Sequence, residues 1–346
     1  QCIKQIILDL FCMKILVTGG AGFIGSHTVV ELVHAGFEPI IVDNFSNSDL
    51  SIVGKIQEIT GRKISFYQID CKLDDHLEPI FLENPEIEGV IHFAAYKAVG
   101  ESVSEPEKYY HNNIASLTCV CRMMKKYGVN KFVFSSSCTV YGNPEVIPVN
   151  EKAPIKEALN TYAHTKQLAE EILFGLCQYN QDLEVVILRY FNPIGAHESG
   201  LIGELPIGVP NNLVPYITQT AAGWRDSLVV FGKDYSTADG TCIRDFIHVE
   251  DLAKAHLKAL MWKNPESNLE VFNIGSGVGH SVQSLIDIFI NETGIDFPVK
   301  YGERRPGDIP AIFASAEKAL GLLNWKTERT LEEALRHAWN WQQTLE

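Results

Sequence analysis

Residues 14–27 read "KILVTGGAGFIGSH", and this stretch decides the fold. A short apolar, strand-like run passes straight into glycines at positions 19, 22 and 25, and a helical pattern opens at about Phe23. A tight turn leaving a parallel strand needs a residue without a Cβ, and so does close approach of backbone to a pyrophosphate. The helix N-terminus then offers amide donors and the positive end of the peptide dipole. The next apolar run, "PIIVD" (39–43), ends in Asp43. A carboxylate there accepts the hydroxyls of an adenosine ribose and repels a ribose phosphate. Strand, glycine turn, helix, strand and acid in that order predict a dinucleotide site that takes NAD rather than NADP.

The same alternation continues outward. Strand candidates follow at "ISFYQ" (64–68), "GVIHF" (89–93), "KFVFS" (131–135) and "VVILR" (185–189), with amphipathic segments near 24–35, 75–83, 116–127 and 161–178. Short apolar strands separated by helices imply right-handed crossovers and a parallel sheet covered on both faces. The expectation is an α/β chain, with a Rossmann-type doubly wound sheet over 13–190. After about residue 191 the texture turns to Gly-, Pro- and Asn-rich loops such as "IGELPIGVPNN". Residues 191–346 are therefore read mainly as a smaller α+β substrate lobe, with some segments returning to the first. Residues 1–12, "QCIKQIILDLFC", read as an extension ahead of a natural first residue at Met13.

Composition limits the partners. The chain has 346 residues and a formal net charge of −14, with no basic block, which argues against nucleic acid and anionic membrane. Eight cysteines, at 2, 12, 71, 119, 121, 138, 177 and 242, form no Cys-x-x-Cys pair and no zinc-ligand spacing. No metal is expected, and scattered thiols fit a reducing cytoplasm. No stretch is long and apolar enough to span a bilayer.

In "TYAHTKQ" (161–167), Tyr162 stands four residues ahead of Lys166 on one helix face. The spacing alone fits an ordinary surface pair. A nicotinamide on the same sheet changes that reading, because hydride leaves a carbinol carbon only as the hydroxyl proton departs. Tyrosine titrates near ~10 and is a poor base at neutral pH. A nearby ammonium, with the positive nicotinamide ring, stabilises the phenolate.

With these residues in place, the chain resembles the extended short-chain dehydrogenase/reductase family, whose signature is the tyrosine with a lysine four residues on. From about residue 13 to the end, "MKILVTGGAGFIGSHTVVEL", "HFAAYKAVGESV", "FSSSCTVYG", "LRYFNPIGAH", "GVPNNLVPYI", "GTCIRDFIHVEDLA" and "RRPGDIPA" are similar to the UDP-glucose 4-epimerase branch of that family. The resemblance implies tightly held NAD, a UDP-sugar substrate, oxidation at the hexose C4, turnover of the 4-keto sugar, and reduction on the opposite face. It also implies a homodimer paired through helices of the nucleotide-binding lobes.

The resemblance assigns roles residue by residue. Tyr162 takes the 4-hydroxyl proton, Lys166 lowers its pKa and holds the nicotinamide ribose, and Ser137 in "SSSCTVYG" hydrogen-bonds the reacting oxygen. Cofactor contacts fall on Gly19, Gly22, Phe23, Ile24 and Gly25, on the "DNFSNS" run (Asp43, Asn44, Phe45, Ser46, Asn47, Ser48), and on Asp70 with Cys71. Phe93, Ala94, Ala95, Tyr96 and Lys97 line the cleft after the fourth strand, with Asn112 and Phe191 closing it. Arg244 and Arg305 are phosphate clamps, since guanidinium binds phosphate oxygens bidentately. Asn192, Asn212, Leu213, Val229, Val230, Phe231 and Asp308 complete the sugar and uracil contacts. Ile312 stands where the family uses bulk to admit or exclude an N-acetyl group on the hexose. Its intermediate size leaves acetylated substrates open.

Nucleotide-sugar 4,6-dehydratases place an Asp-Glu pair before the Val-Tyr-Gly, where this chain has Cys138 and Thr139, so dehydration lacks its proton donors. Cys138 reads as a small buried filler, and Tyr141 as packing rather than a second acid–base group. Another nucleotide-sugar epimerase or reductase of the family is an alternative. A non-catalytic NAD-sensing regulator would be expected to lose Tyr162 or Lys166.

Overall fold

The computed structural model describes residues 13–305 and 307–345, so the stretch read as an extension, 1–12, lies outside the described residues. In chain order the first half runs β1 (Lys14–Thr18), α1 (Phe23–His34), β2 (Glu38–Asp43), α2 (Ser51–Thr60), β3 (Ser65–Gln68), α3 (Asp74–Glu83) and β4 (Ile87–His92). It continues with α4 (Val99–Ser104), α5 (Pro106–Tyr127), β5 (Lys131–Ser137), a 3₁₀ turn (Cys138–Tyr141), α6 (Thr161–Tyr179) and β6 (Glu184–Tyr190). The second half carries β7 (Asn192–Ile194), α7 (Leu213–Ala221), β8 (Leu228–Phe231), β9 (Ile243–His248), α8 (Val249–Met261) and β10 (Leu269–Ile274). Then follow β11 (Gly279–Ser281), α9 (Val282–Thr293), β12 (Val299–Gly302), β13 (Ala311–Ile312), α10 (Glu317–Leu323) and α11 (Leu331–Gln343).

Seven strands form one parallel sheet in the order β10-β6-β5-β4-β1-β2-β3. Strand order reverses at β1/β4, which opens a crevice at their C-terminal ends. Alternate residues of each strand bury into opposite layers. Ile15, Val17, Ile41, Ile91 and Val133 pack with α1, α2 and α8 on one face. Leu16, Ile40, Val42, Val90, Phe132 and Phe134 pack with α3, α5 and α6 on the other. Burial on both faces is why these strands read as continuous apolar runs rather than as alternating ones.

Three elements of the second half build onto this sheet: β10 pairs with β6 as the seventh strand, and α8 and α10 share a core layer with α1. The rest forms a smaller body, with β9 central. Its first residues pair with β11 and β13, and its last with β7, while β8 and β12 form a separate parallel pair. Val214, Ile217, Val230, Phe246, Leu285, Phe289 and Leu335 fill that body's core. Among the described residues, no helix is long and apolar enough to cross a membrane.

Candidate active site

The cleft lies where the sheet order reverses, between the turn after β1 and the loop after β4. Gly19 has φ +71°, and a Cβ there would come 2.9 Å from the Ala94 amide nitrogen, so the two loops touch backbone to backbone. Gly25 is more constrained still. A Cβ on it would lie 2.2 Å from the Gly19 carbonyl oxygen, so only glycine lets α1 pack this close to the turn. Gly22 is the N-cap of α1, with no side-chain cap and no acidic residue in the first turn. The positive end of the helix therefore faces the cleft that Gly22, Phe23 and Ile24 line. An uncapped helix start beside a backbone-to-backbone turn fits a pyrophosphate.

Asp43 closes the turn from the side. Its Oδ2 accepts from the Ala21 amide (3.0 Å), and its Oδ1 accepts from the Phe45 amide and the Ser48 hydroxyl (2.9 Å each). The carboxylate thus holds the glycine turn and the loop after β2 together, while one edge still lines the cleft with Asn44, Ser46, Asn47 and Ser48. This set of acceptor and donors fits the adenosine end of NAD. Phe45, expected among these contacts, takes a left-handed backbone (φ 54°) and packs onto the core layer instead. Asp70 and Cys71 line the same end, and Phe93 to Lys97 and Asn112 line the opposite wall.

At the inner end, α6 presents Tyr162 and Lys166, both buried and both lining the cleft. Asn160 caps this helix, its side chain accepting from the Ala163 amide at 2.9 Å, which fixes where Tyr162 enters. The Lys166 ammonium donates to the Ser135 carbonyl at 2.6 Å and lies 6.0 Å from the centre of the Tyr162 ring. Burial pulls Lys166 down to about 8, opposed by the charge of Glu170. Burial pushes the Tyr162 phenol well above its ordinary value, with Tyr190 adding to the rise and Ser137 opposing it. The expected lowering of Tyr162 by Lys166 is therefore not produced by the protein's own groups. The ammonium is engaged with a carbonyl, and removal from water dominates.

The remaining expected contacts fall into separate places. Asn212 lines the cleft and donates to the Glu204 carboxylate at 2.5 Å; Glu204 also accepts from Lys97 at 3.0 Å, joining the two walls. On the smaller body, Arg244 donates to the Ile309 carbonyl (2.8 Å) and reaches Asp308 at 3.5 Å. Arg305 donates to both Asp308 oxygens, at 3.2 and 3.0 Å, and its guanidinium lies 5.8 Å from the Phe231 ring centre. These four residues form one cationic and aromatic cluster, with Val229 part-buried on the strand that ends in Phe231. Asn192 starts β7, and Leu213 opens α7 against the smaller body's core.

Three expected contacts are core residues. Val230 alternates inward between Val229 and Phe231 and packs with Val214 and Ile217. Phe191 does not close the cleft; it is 3 % exposed and packs with Cys138, Tyr141, Val149 and Ile312. Ile312, 5 % exposed on β13 beside Arg244, belongs to the same cluster, which backs Ser137 through Cys138.

Sequence reasoning passed over Tyr190, Asn113 and Glu204. Tyr190 lines the cleft beside Tyr162 and sat unmarked within "LRYFNPIGAH". Asn113 accepts from the Tyr96 amide (2.9 Å) and donates to its carbonyl (3.1 Å) and to Thr165 (3.0 Å), tying the loop after β4 to the helix turn holding Lys166. The detectable signal was an asparagine on the buried side of a helix.

Comparison with known proteins bears on this arrangement. A model of the NAD dependent epimerase/dehydratase family matches residues 15–275. The UDP-glucose 4-epimerase of Bacillus subtilis (strain 168) is 49% identical over 330 residues, covering 95% of this chain and 97% of its own. That of Pasteurella multocida (strain Pm70) is 48% identical over 330 residues, covering 95% and 97%. The crystal structure of UDP-glucose 4-epimerase from Bifidobacterium longum in complex with NAD+ and UDP is 43% identical with a TM-score of 0.93, covering 96% of this chain and 99% of that one.

Proposed function

The chain belongs to the NAD dependent epimerase/dehydratase family, and on that premise we propose that it interconverts UDP-glucose and UDP-galactose, inverting the hexose at C4 through a 4-keto sugar. The observation that carries the reading is the buried Tyr162–Lys166 pair in the glycine-turn cleft, in a chain alike along its length to UDP-glucose 4-epimerases. Bound NAD supplies the redox centre that accepts the C4 hydrogen and gives it back.

The protein's own residues do the rest. The glycine turn, the start of α1 and Asp43 hold the dinucleotide. Tyr162 accepts the proton of the 4-hydroxyl and returns it. Burial keeps it protonated even with Lys166 close by, and the charge of Lys166, together with that of the positive ring of a bound nicotinamide, would ease loss of the phenolic proton. Ser137, buried at the end of β5, holds the reacting oxygen. Arg244 and Arg305 face the pyrophosphate, with Asp308 orienting both guanidinium groups, and Phe231 offers the uracil a flat apolar surface. Dehydration is not served: burial pushes the Cys138 thiol up to about 12, and Thr139 carries only a buried hydroxyl.

Assembly as a homodimer is part of the same reading. Tyr110 of α5 and Phe174, Leu176 and Tyr179 of α6 leave apolar surface exposed on the outer helices of the sheet, which a second copy would cover. A reducing cytoplasm suits the six described cysteines, all free thiols. The test is incubation with UDP-galactose and no added NAD, followed by product analysis. UDP-glucose should form until the two sugars reach equilibrium; unchanged UDP-galactose with NAD then supplied would refute the reading.

A further inference from the structure

Lys166 stands midway in a stripe on α6, with Tyr162 four residues before it and Glu170 four residues after, all turned to the sheet. Glu170 is 3 % exposed and fully engaged. Its Oε1 accepts from the Ser136 hydroxyl at 2.5 Å and from Arg189 Nε at 3.0 Å, and its Oε2 accepts from Arg189 Nη2 at 2.6 Å. Ser136 and Arg189 are register partners on β5 and β6. Arg189 in turn donates to the Tyr141 hydroxyl (3.0 Å), which donates to Asn273 (2.6 Å). The carboxylate is thereby fixed from two strands at once. Ser136 lies between the residue whose carbonyl binds the Lys166 ammonium and Ser137, the expected holder of the reacting oxygen.

We propose that Glu170 is a positioning residue for this reaction: pinned by Ser136 and Arg189, its carboxylate keeps Lys166 in its ammonium form beside Tyr162. The inference rests on the function proposed above. The physical need is plain. An ammonium this deeply buried is pulled toward neutrality, and of the protein's groups Glu170 is the one whose charge opposes that pull on Lys166. The other titratable groups around it do not do so. His92 on β4 faces the ammonium, hydrogen-bonded to Thr18, and burial drives it down to about 3. Tyr162 and Tyr190 are raised phenols, burial raises Tyr109 of α5 well above its ordinary value, and Tyr141 is pushed up to about 12. Arg189 carries like charge. Lys166 is the group of this set that changes charge a little above neutral pH.

The test is the pH profile of kcat and KM for UDP-galactose on the holoenzyme. Glu170→Gln keeps the shape and removes the charge. Its alkaline limb should move down by about one pH unit, so that kcat on the falling limb drops about tenfold at fixed pH, with KM little changed and Glu170→Asp moving the limb back. Glu170→Gln combined with Arg189→Met leaves no stranded guanidinium and should show the same displaced limb. A kcat lowered by one factor at every pH, or loss of fold in both variants, would overturn the proposal and leave a structural ion pair. An unmodified protein with no epimerisation at any pH would instead refute the reaction itself.

Discussion

Asp43→Ala separates two duties of one carboxylate. In the structure Asp43 accepts from the buried Ala21 amide and from the part-buried Phe45 amide and Ser48 hydroxyl. Truncation strands the Ala21 amide in a dry turn, which costs about 1–3 kcal/mol. Phe45 and Ser48 can recruit water, so losing their bonds adds about 0.5–1 kcal/mol each. The fold should weaken by about 2–5 kcal/mol before any cofactor is considered, read as a lower urea midpoint at unchanged slope. Saturating NAD stabilises the folded state in proportion to its binding free energy. If the carboxylate also binds the adenosine ribose, that increment should shrink by a further ~1.5–3 kcal/mol, the value of a hydrogen bond to a charged group. The assay is urea unfolding followed by fluorescence, with and without added NAD. An unchanged midpoint would refute the structural duty. A lowered midpoint with an unchanged NAD increment would refute the ribose contact and leave Asp43 as a brace for the turn.

Tyr162→Phe removes a single oxygen from a buried ring, so the protein should fold and keep NAD while losing most epimerase activity; near-full activity in a kcat assay would remove Tyr162 from the base role. Ile312→Tyr should overpack the cluster behind Ser137 by roughly 1–3 kcal/mol and lower any rate on UDP-N-acetylglucosamine more than that on UDP-galactose. An unchanged ratio of the two rates would make Ile312 a core residue only. Acid should weaken the fold through buried imidazoles. His92 is held neutral by burial down to about 3, so below pH ~6.5 the unfolded chain binds a proton there that the folded one does not. Stability from this residue is full above that pH and falls by about 1.4 kcal/mol per pH unit below it, down to the folded value. Urea midpoints at pH 7.5 and 5.5 should show His92→Gln losing about 1.4 kcal/mol less than the parent over that interval. Equal losses would refute the buried-neutral assignment.

The six strands read from the sequence each appear within a residue or two, because runs such as "KILVT" and "VVILR" are buried on both faces and carry their signal locally. The seventh strand, Leu269–Ile274, comes from the second half of the chain, and its pairing with β6 is a long-range fact that no local pattern announces. The helix expected at 116–127 begins at Pro106, ten residues earlier. Its first turns carry Lys108, Tyr110, His111 and Asn112 beside the cleft and solvent, so no apolar stripe marks them. In the site, Gly19, Gly25, Asp43, Tyr162 and Lys166 come together along one cleft, and they stand out in the sequence because a glycine turn, a ribose contact and a proton transfer would each demand particular residue types. Glu170 and Arg189 were not, since an acid and a base 19 positions apart look like surface charges until α6 is laid over β6. Phe191 and Val230 carried the opposite error: adjacency to a binding motif says nothing about which way a side chain turns.

The central claim is that the C4 hydrogen leaves and returns within one pocket while Tyr162 handles only the hydroxyl proton. UDP-galactose carrying deuterium at C4, incubated with the protein in ordinary water, tests it directly by mass spectrometry and NMR of the product. The account predicts UDP-glucose that keeps the deuterium at C4, because that hydrogen moves with its electron pair and never meets solvent. Replacement of the label by solvent hydrogen would contradict the account, since it would mean that C4 is inverted by removal and return of a proton.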